Sequence, residues 1–488
     1  LGSLLAFMEK EGIPPRFVDE QVEEKEMARI AGHVKGMTRP YVFGFSVVTA
    51  SFKQTILTSR RLKELYPDSV ILFGGIHPSA LPDESLSYDH VDLVLKGEAE
   101  RPLIELYRCL KSGSDYAHIE NLSFKREGKI VHNPMTYWHE ELENDPPFPY
   151  HLFSPKLYDL GMTASSRGCP YDCIFCSNRV TTGRKYRFRK TEVVVEELDM
   201  LSKKYGVTDV IFLDDNFLAR KDRIYVMMEG MRKIGLEKRM RFDFQTRADT
   251  VEEGMLRELH ASGFRTISFG IETASEAIMK TINKRETVAE TVEAIRKAKR
   301  AGLKVKATFI FGLPGDSHSA RMDCVRLDRE LGLNLVRYNN ATPYPGTKLY
   351  EIARAENRFF KQGLWENFNS VSTLTENPFD RIPFSYVPPG NTEGEIRRDL
   401  LFAYFASYIN LNRIRENASG QDIRPGLFRP HEDFPMMLKR IAGLAVLAAV
   451  VPFKFFQLFY YSVIRSDTRI SLRFFLSVFE GLRRNPAR

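Results

Sequence analysis

The feature that most constrains the fold is a series of short apolar runs, each followed by an amphipathic helical pattern. Such runs fall at 161–166, 207–214, 241–247, 264–272, 304–312 and 335–342. Short strands alternating with helices specify a parallel sheet, because a parallel neighbour is reached only by a crossover. The helical segments KTEVVVEELDMLSKKYG (190–206) and TVAETVEAIRKAKRAG (287–302) end in Gly206 and Gly302, where a C-cap favours a left-handed residue. Six such units predict a partial (β/α)6 barrel of the TIM type, with its chemistry at the C-terminal ends of the strands.

A shorter series of the same kind comes first. YVFGFSVV (41–48), SVILFGG (69–75) and VDLVLKG (91–97) read as buried strands, residues 52–66 as an amphipathic helix, and LLAFMEKEG (4–12) as a helix end stopped by Gly12. The expected architecture is a Rossmann-like α/β domain whose ligand meets the glycines at the strand ends. Residues 113–160 read as a linker with a small β element, broken by NDPPFPY (144–150). This divides the chain into 1–145, 146–345 and a mainly helical region, 346–488. The last region holds the most apolar stretch, 441–464. Its length suits a membrane span. Pro452 and Lys454 near its middle, and arginines on both flanks, favour a buried or membrane-surface helix instead.

Composition narrows the function classes. At 43% hydrophobic and 27% charged residues the chain can build a globular core, and it shows no repeat or low-complexity segment. A net charge of +8 is mild for 488 residues. It suits anionic cofactors or a membrane surface, and no basic–aromatic motif points to nucleic acid. Three of the five cysteines lie within eight residues. That excludes a secreted disulfide scaffold and points to metal in a reducing, cytoplasmic setting. No signal-peptide pattern is visible. The first residue is Leu1, so the chain is expected to be truncated or processed at its start.

The cysteine segment is SSRGCPYDCIFCS (165–177), with Cys169, Cys173 and Cys176 spaced C-x3-C-x2-C. Three thiolates at this spacing can each bind one iron of a cubane and leave the fourth iron open. Structural zinc prefers four ligands, and no fourth Cys or His lies nearby. Cys109 and Cys324 read as ordinary buried residues.

With Phe175 before the last cysteine, the segment resembles the signature of the radical S-adenosylmethionine (SAM) superfamily. The resemblance implies a [4Fe–4S] cluster with SAM on its open iron, cleaved to a 5′-deoxyadenosyl radical inside a barrel that excludes solvent. It also implies roles at successive strand ends. Asp214, Asp215 and Asn216 in FLDDN (212–216) would meet the methionine ammonium. Gln245 and Arg247 in FQTRAD (244–249) would share that rim, Arg247 with the SAM carboxylate. Glu272 in SFGIET (268–273) would face the ribose, and Ile310 and Gly312 in FIFGLPG (309–315) the adenine. The basic stretch RVTTGRKYRFRK (179–190) reads as a solvated surface, or as cations for cofactor phosphates or an electron donor such as flavodoxin or ferredoxin.

The first domain looks like part of the cobalamin-binding fold. SVVT (46–49) and GG (74–75) match two of its elements, with Val48 where the family usually has Leu. Ser46 and Thr49 would bond the dimethylbenzimidazole side, and Gly74 and Gly75 would let the backbone approach the nucleotide tail. GGIHPSALPDE (74–84) and VDLVLKGEAE (91–100) are similar to the domain fused upstream of one radical SAM class, which adds Gly97 and Glu98. The D-x-H-x-x-G element is absent, so strand one of that fold is expected to be missing. His77 is expected to hydrogen-bond locally and not to bind cobalt.

Together these likenesses imply a cobalamin-dependent enzyme that methylates an unactivated carbon of a hydrophobic substrate, a lipid, terpenoid or tetrapyrrole. One alternative is oxidative ring closure, as in the anaerobic magnesium-protoporphyrin monomethyl ester cyclase. Another is a non-catalytic iron–sulfur binding protein. Residues 346–430 are expected to close the barrel.

Overall fold

The computed structural model describes residues 1–20, 26–368, 382–408, 452–456 and 458–459. The first sheet runs β1 (Val42–Ser46), β2 (Val70–Gly74), β3 (Leu93–Leu95), β4 (Leu122–Arg126) and β5 (Lys129–His132), in that spatial order. β1 to β3 are parallel, as their crossovers require. β4 and β5 add an antiparallel hairpin, so the sheet is mixed and not purely parallel. The two-residue turn Glu127–Gly128 has φ of 51° and 73°, the left-handed pair that tight hairpins need. Helix Phe52–Leu65 buries Phe52, Ile56 and Leu62 against Ile71 and Phe73.

The second sheet begins at β6 (Met162–Thr163). A two-stranded ribbon, β7 (Ser166–Arg167) and β8 (Arg187–Phe188), stands beside it. The sheet continues through β9 (Asp209–Phe212), β10 (Arg241–Thr246), β11 (Phe264–Glu272), β12 (Lys304–Phe311) and β13 (Leu335–Asn340). All six of its strands are parallel and lie in chain order from β6 to β13. Alternation along each strand divides the residues. Val210, Phe212, Phe242, Phe244, Val336 and Tyr338 are buried in the layer between sheet and helices. Their neighbours Ile211, Gln245 and Arg337 point the other way, into the lumen, and stay accessible. The helices are closed as read: Gly206 is left-handed after helix Thr191–Tyr205, and Thr287 and Glu290 form a capping box for helix Val288–Arg300.

β13 is an edge strand, and helix Glu393–Tyr408 covers it. The Tyr408 hydroxyl accepts from Val336 N (3.2 Å) and donates to Val336 O (2.6 Å). Tyr404 does the same at Tyr338, at 3.2 and 3.0 Å. Four free edge groups are thus satisfied by two phenols. Behind them Arg321 is sandwiched between Asp316 and Asp399, all buried. The apolar stretch 441–464 lies outside the described residues except for 452–456, 458 and 459. Of these, Phe455 packs on Phe405 at 5.5 Å, Leu458 is buried and Phe456 is exposed. Among the described residues no helix is long and apolar enough to cross a membrane.

Candidate active site

Ribbon β7–β8 brackets the cysteine loop. Gly168 starts the loop at φ 88°, and a Cβ there would sit 2.1 Å from Lys185 O, so no other residue fits. The loop is stitched to two distant segments through Ile174, whose N–H donates to Ile282 O (3.1 Å) and whose carbonyl accepts from Leu349 N (2.8 Å). Ile174 and Phe175 also join an apolar cluster with Leu313, Leu349 and Tyr386.

Cys169, Cys173 and Cys176 are half-buried and unpaired as disulfides. Burial pushes all three thiols up, Cys176 to about 11; the Cys169 charge adds to the rise at Cys173, and the Cys173 and Cys169 charges to that at Cys176. Thiolates at such a place need a nearby positive charge, which bound iron supplies. No three His, Cys, Asp or Glu side chains converge on one ion among the described residues. A cubane does not ask for that, since each cysteine bonds a different iron. The donor set fits a three-cysteine cluster.

The expected SAM residues divide into three that the fold consumes and others that face the lumen. Asp214 is fully buried and accepts from Ser165 N (2.9 Å), Ser165 Oγ (2.6 Å) and Ser166 Oγ. It fixes the β6–β7 turn, and the expectation of an open acceptor for an ammonium is corrected. Asn216 is likewise spent: its Oδ1 accepts from Thr246 Oγ1 (2.5 Å), and its Nδ2 donates to the Tyr186 hydroxyl (3.1 Å). Arg247 pairs with Asp249 (3.0 Å) and Glu286 (3.4 Å) and lies 3.5 Å over the Tyr171 ring. It braces the cysteine loop from below instead of offering a free fork to a carboxylate.

Asp215 is half-buried and bonded to Asn178 just past Cys176. Burial, then the neighbouring Asp214 charge, pushes its carboxyl up to about 6. Gln245 is exposed in the lumen and donates to Asp214 O (3.0 Å). Glu272 faces Lys284 at 3.2 Å from a left-handed backbone, φ 66°. Ile310 is half-buried against the cysteine-loop cluster. Gly312 is left-handed at φ 85°, and its N–H donates to Asp316.

Sequence reasoning missed Tyr186, Lys284 and Glu286. Lys284 is buried, bonds Gly270 O (2.7 Å) and lies near enough to Cys173 to favour its thiolate. Nothing in the local sequence marks it, because its partners lie on another strand and another loop.

In the first domain Gly75 is left-handed at φ 94°, and a Cβ would stand 2.8 Å from both Val47 N and Val47 O. The Val47 backbone takes the place of a side chain, so the end of β2 is a tight backbone cradle that only glycine allows. Gly74 closes β2 beside it. Ser46 is exposed, while Thr49 is buried. Gly97 donates to Ser79 Oγ (2.8 Å).

Glu98 is a correction. It is buried, and its carboxylate accepts from Arg167 Nη1 (3.2 Å), Arg187 Nη1 and His139 N (2.8 Å), so it ties the chain's own segments together instead of facing an open cofactor site. His77 is a second correction. It is fully buried with neither ring nitrogen hydrogen-bonded, and it packs against Phe52 (4.2 Å) and Trp365 (5.3 Å). Cys324 is buried as expected, whereas Cys109 is only half-buried. The basic stretch 179–190 is not an open cationic patch: Arg179 and Arg184 pair with Asp172, Arg187 with Glu98 and Arg189 with Glu197.

Both domains contribute to one cleft of about 280 Å³. Val48, Thr49, Ala50 and Ile76 line it from the first, Ser177, Tyr344 and Pro345 from the second, and Phe368 from the region that follows. Ser177 follows Cys176 directly, so the glycine-ended face of the first sheet and the cysteine loop open on the same space.

Fold and site therefore define an iron–sulfur partial barrel joined to an α/β domain with a backbone cradle. Residues 163–327 match the model of the Radical SAM superfamily, and residues 1–107 that of the B12 binding domain. The chain carries a radical SAM domain preceded by a B12-binding domain, and it is an enzyme. An uncharacterized methyltransferase of Pyrococcus horikoshii is 28% identical over 376 residues, 76% of this chain and 81% of its own length. The anaerobic magnesium-protoporphyrin IX monomethyl ester cyclase of Cereibacter sphaeroides is 23% identical over 405 residues, 80% of this chain and 64% of its own length. The chain thus spans just under two thirds of that cyclase. Among solved structures, the cobalamin-dependent SAM radical enzyme OxsB with aqua-cobalamin and SAM bound aligns over 99% of this chain and 72% of its own, with TM-score 0.70 and 17% identity. At that identity the likeness speaks for the fold.

Proposed function

We propose that this enzyme transfers a methyl group to an unactivated carbon of a substrate with an apolar body, using a [4Fe–4S] cluster, SAM and cobalamin. The observation that carries the reading is the shared cleft, where the cradle side of the first domain and the cysteine loop face each other across about 280 Å³. When bound, the cluster and SAM supply a radical that removes a hydrogen atom from carbon, and cobalamin supplies the methyl group.

The chain's own residues hold and exclude. Cys169, Cys173 and Cys176 would ligate the cluster. Ile174 pins their loop at both ends through its backbone. Gln245, Glu272, Ile310 and Gly312 present the lumen face to SAM, with Asp215 at the rim beside the loop. Gly74 and Gly75 give cobalamin a backbone floor, with Ser46 and Thr49 beside it. Phe368, Tyr344 and Pro345 wall the cleft against water, which protects a carbon radical. A single-electron donor of the flavodoxin or ferredoxin class would reduce the cluster.

The likeness to the cyclase keeps oxidative ring closure as a second outcome, and product mass separates the two: one added methyl, or a new ring with added oxygen. The reading is tested by anaerobic reconstitution of the full chain with iron, sulfide and cobalamin. Reduced protein should release 5′-deoxyadenosine from SAM. Cys173→Ala should lose the cluster absorbance and that release together. A cluster-loaded, reduced wild type that leaves SAM intact would sink the proposal.

A further inference from the structure

The lumen of the barrel is asymmetric in a way the cofactors do not use. On the β6–β9 side it is apolar: Met162, Ile211 and Leu213 are 47%, 40% and 53% exposed, although the first two lie on strands and Leu213 directly follows β9. Their alternates Thr163, Val210 and Phe212 are buried toward the helices, so these three side chains line the inside. Apolar side chains left this open within a barrel mark a surface that something else covers.

On the β13 side stands Arg337. Its neighbours Val336 and Tyr338 are fully buried toward the helix layer, Tyr338 stacked on Phe309 at 5.4 Å, so Arg337 projects into the lumen. It is in register with Thr308 on β12, which in turn is in register with Gly270 on β11. The place of a side chain at Gly270 is taken by the Glu272 carboxylate and the Lys284 ammonium, which pair with each other at 3.2 Å. Lys306, on the same face of β12 as Thr308, is neutralised by Asp243 at 2.6 Å. Arg337 is exposed and makes no hydrogen bond or ion pair among the described residues, and neither does the Asn339 side chain two positions on. The two point the same way along one strand, a planar fork and an amide ready to meet oxygens.

We infer that Arg337, with Asn339, is a substrate subsite for an anionic oxygen group, a carboxylate or phosphate, carried by an amphiphile whose apolar part rests on Met162, Ile211 and Leu213. This rests on the reading of the barrel as the reaction chamber and adds the chemistry of what enters it. An arginine fork takes either anion by two parallel charge-assisted bonds, and one such contact is worth about a 10- to 100-fold difference in affinity.

The test uses the full chain and three eight-carbon probes, octyl phosphate, octanoate and octanol, titrated by calorimetry. Wild type should bind at least one anionic probe about tenfold or more tighter than the alcohol. Arg337→Gln should erase that preference while the alcohol binds as before, and Arg337→Lys should restore part of it. Equal binding of all three probes by wild type overturns the assignment, as does an anion preference that survives in Arg337→Gln. The result stands apart from the proposed reaction. Release of 5′-deoxyadenosine by reconstituted wild type tests the radical chemistry, and probe binding tests the subsite.

Discussion

Replacing Glu98 with Ala should loosen the cysteine loop from the first domain. Glu98 sits just past β3 and bonds both strands of the β7–β8 ribbon, through Arg167 and Arg187. The two arginines do not depend on it equally. Arg167 keeps Glu100 at 2.6 Å and Asp145 at 3.6 Å. Arg187 is 5% exposed and would be left with only the carbonyls of His139 and Thr182. A buried cation stripped of its one carboxylate costs about 3–5 kcal/mol. Converted at about 1.4 kcal/mol per tenfold, local opening of the ribbon should become roughly two to four orders of magnitude more frequent. Hydrogen exchange over 166–188 reads this directly. Trp138, whose indole faces Gly183 in the loop between β7 and β8, gives an independent fluorescence signal. A Glu98→Ala, Arg187→Ala cycle should recover much of the loss, because removing both partners removes the orphaned charge. Exchange in 166–188 changing less than tenfold, or loosening spread evenly through the barrel, would refute the assignment of Glu98 as the tie between domains.

Other expectations follow from single sites. Gly75→Ala forces a Cβ to 2.8 Å from Val47 backbone at a left-handed φ, which should cost about 1–3 kcal/mol and lower the cobalamin retained per chain in the visible spectrum; unchanged retention would show that the cradle is not used. His77 is buried, with Glu84 at 3.9 Å and Lys361 also facing it, and burial lowers its pKa from 6.5 to about 4. Above 6.5 it is neutral in both states; as pH falls toward 4 the unfolded chain takes the proton first, so about 3 kcal/mol of stability is lost across that window. His77→Phe should flatten that part of the wild-type curve in urea unfolding, and superimposable curves would contradict the buried neutral state. Asp399→Ala leaves Arg321 with Asp316 and the Asn391 amide oxygen in a dry site and should free helix Glu393–Tyr408 from the edge of β13, at about 3–5 kcal/mol; limited proteolysis within 393–408 should quicken, and equal cleavage rates would argue against it.

Much of the fold was legible because it is written in contiguous residues. Period-two apolar runs gave the strands of both sheets. Period-3.6 runs closed by Gly206 and Gly302 gave the helices between them, and C-x3-C-x2-C gave the candidate ligand set. The hairpin β4–β5 was only a vague β element, since its strands are short and half-exposed and carry weak periodicity. The site was less legible. FLDDN offered three acceptors, and packing consumed two of them. Asp214 is the buried lock of the β6–β7 turn, and Asn216 holds Thr246 and Tyr186.

By itself, then, the sequence determined the strand–helix order, the glycines that need a left-handed backbone and the three cysteines, because each depends on neighbours a few positions away. Only the tertiary structure decided which charges are free. Glu98 meets arginines 69 and 89 positions later, and Arg247 meets a carboxylate on a distant loop. Among the described residues Arg337 has no partner because of which way one strand alternates. A carboxylate or guanidinium has the same letter whether paired or waiting for a ligand, and the difference lies in long-range contacts that no local pattern records.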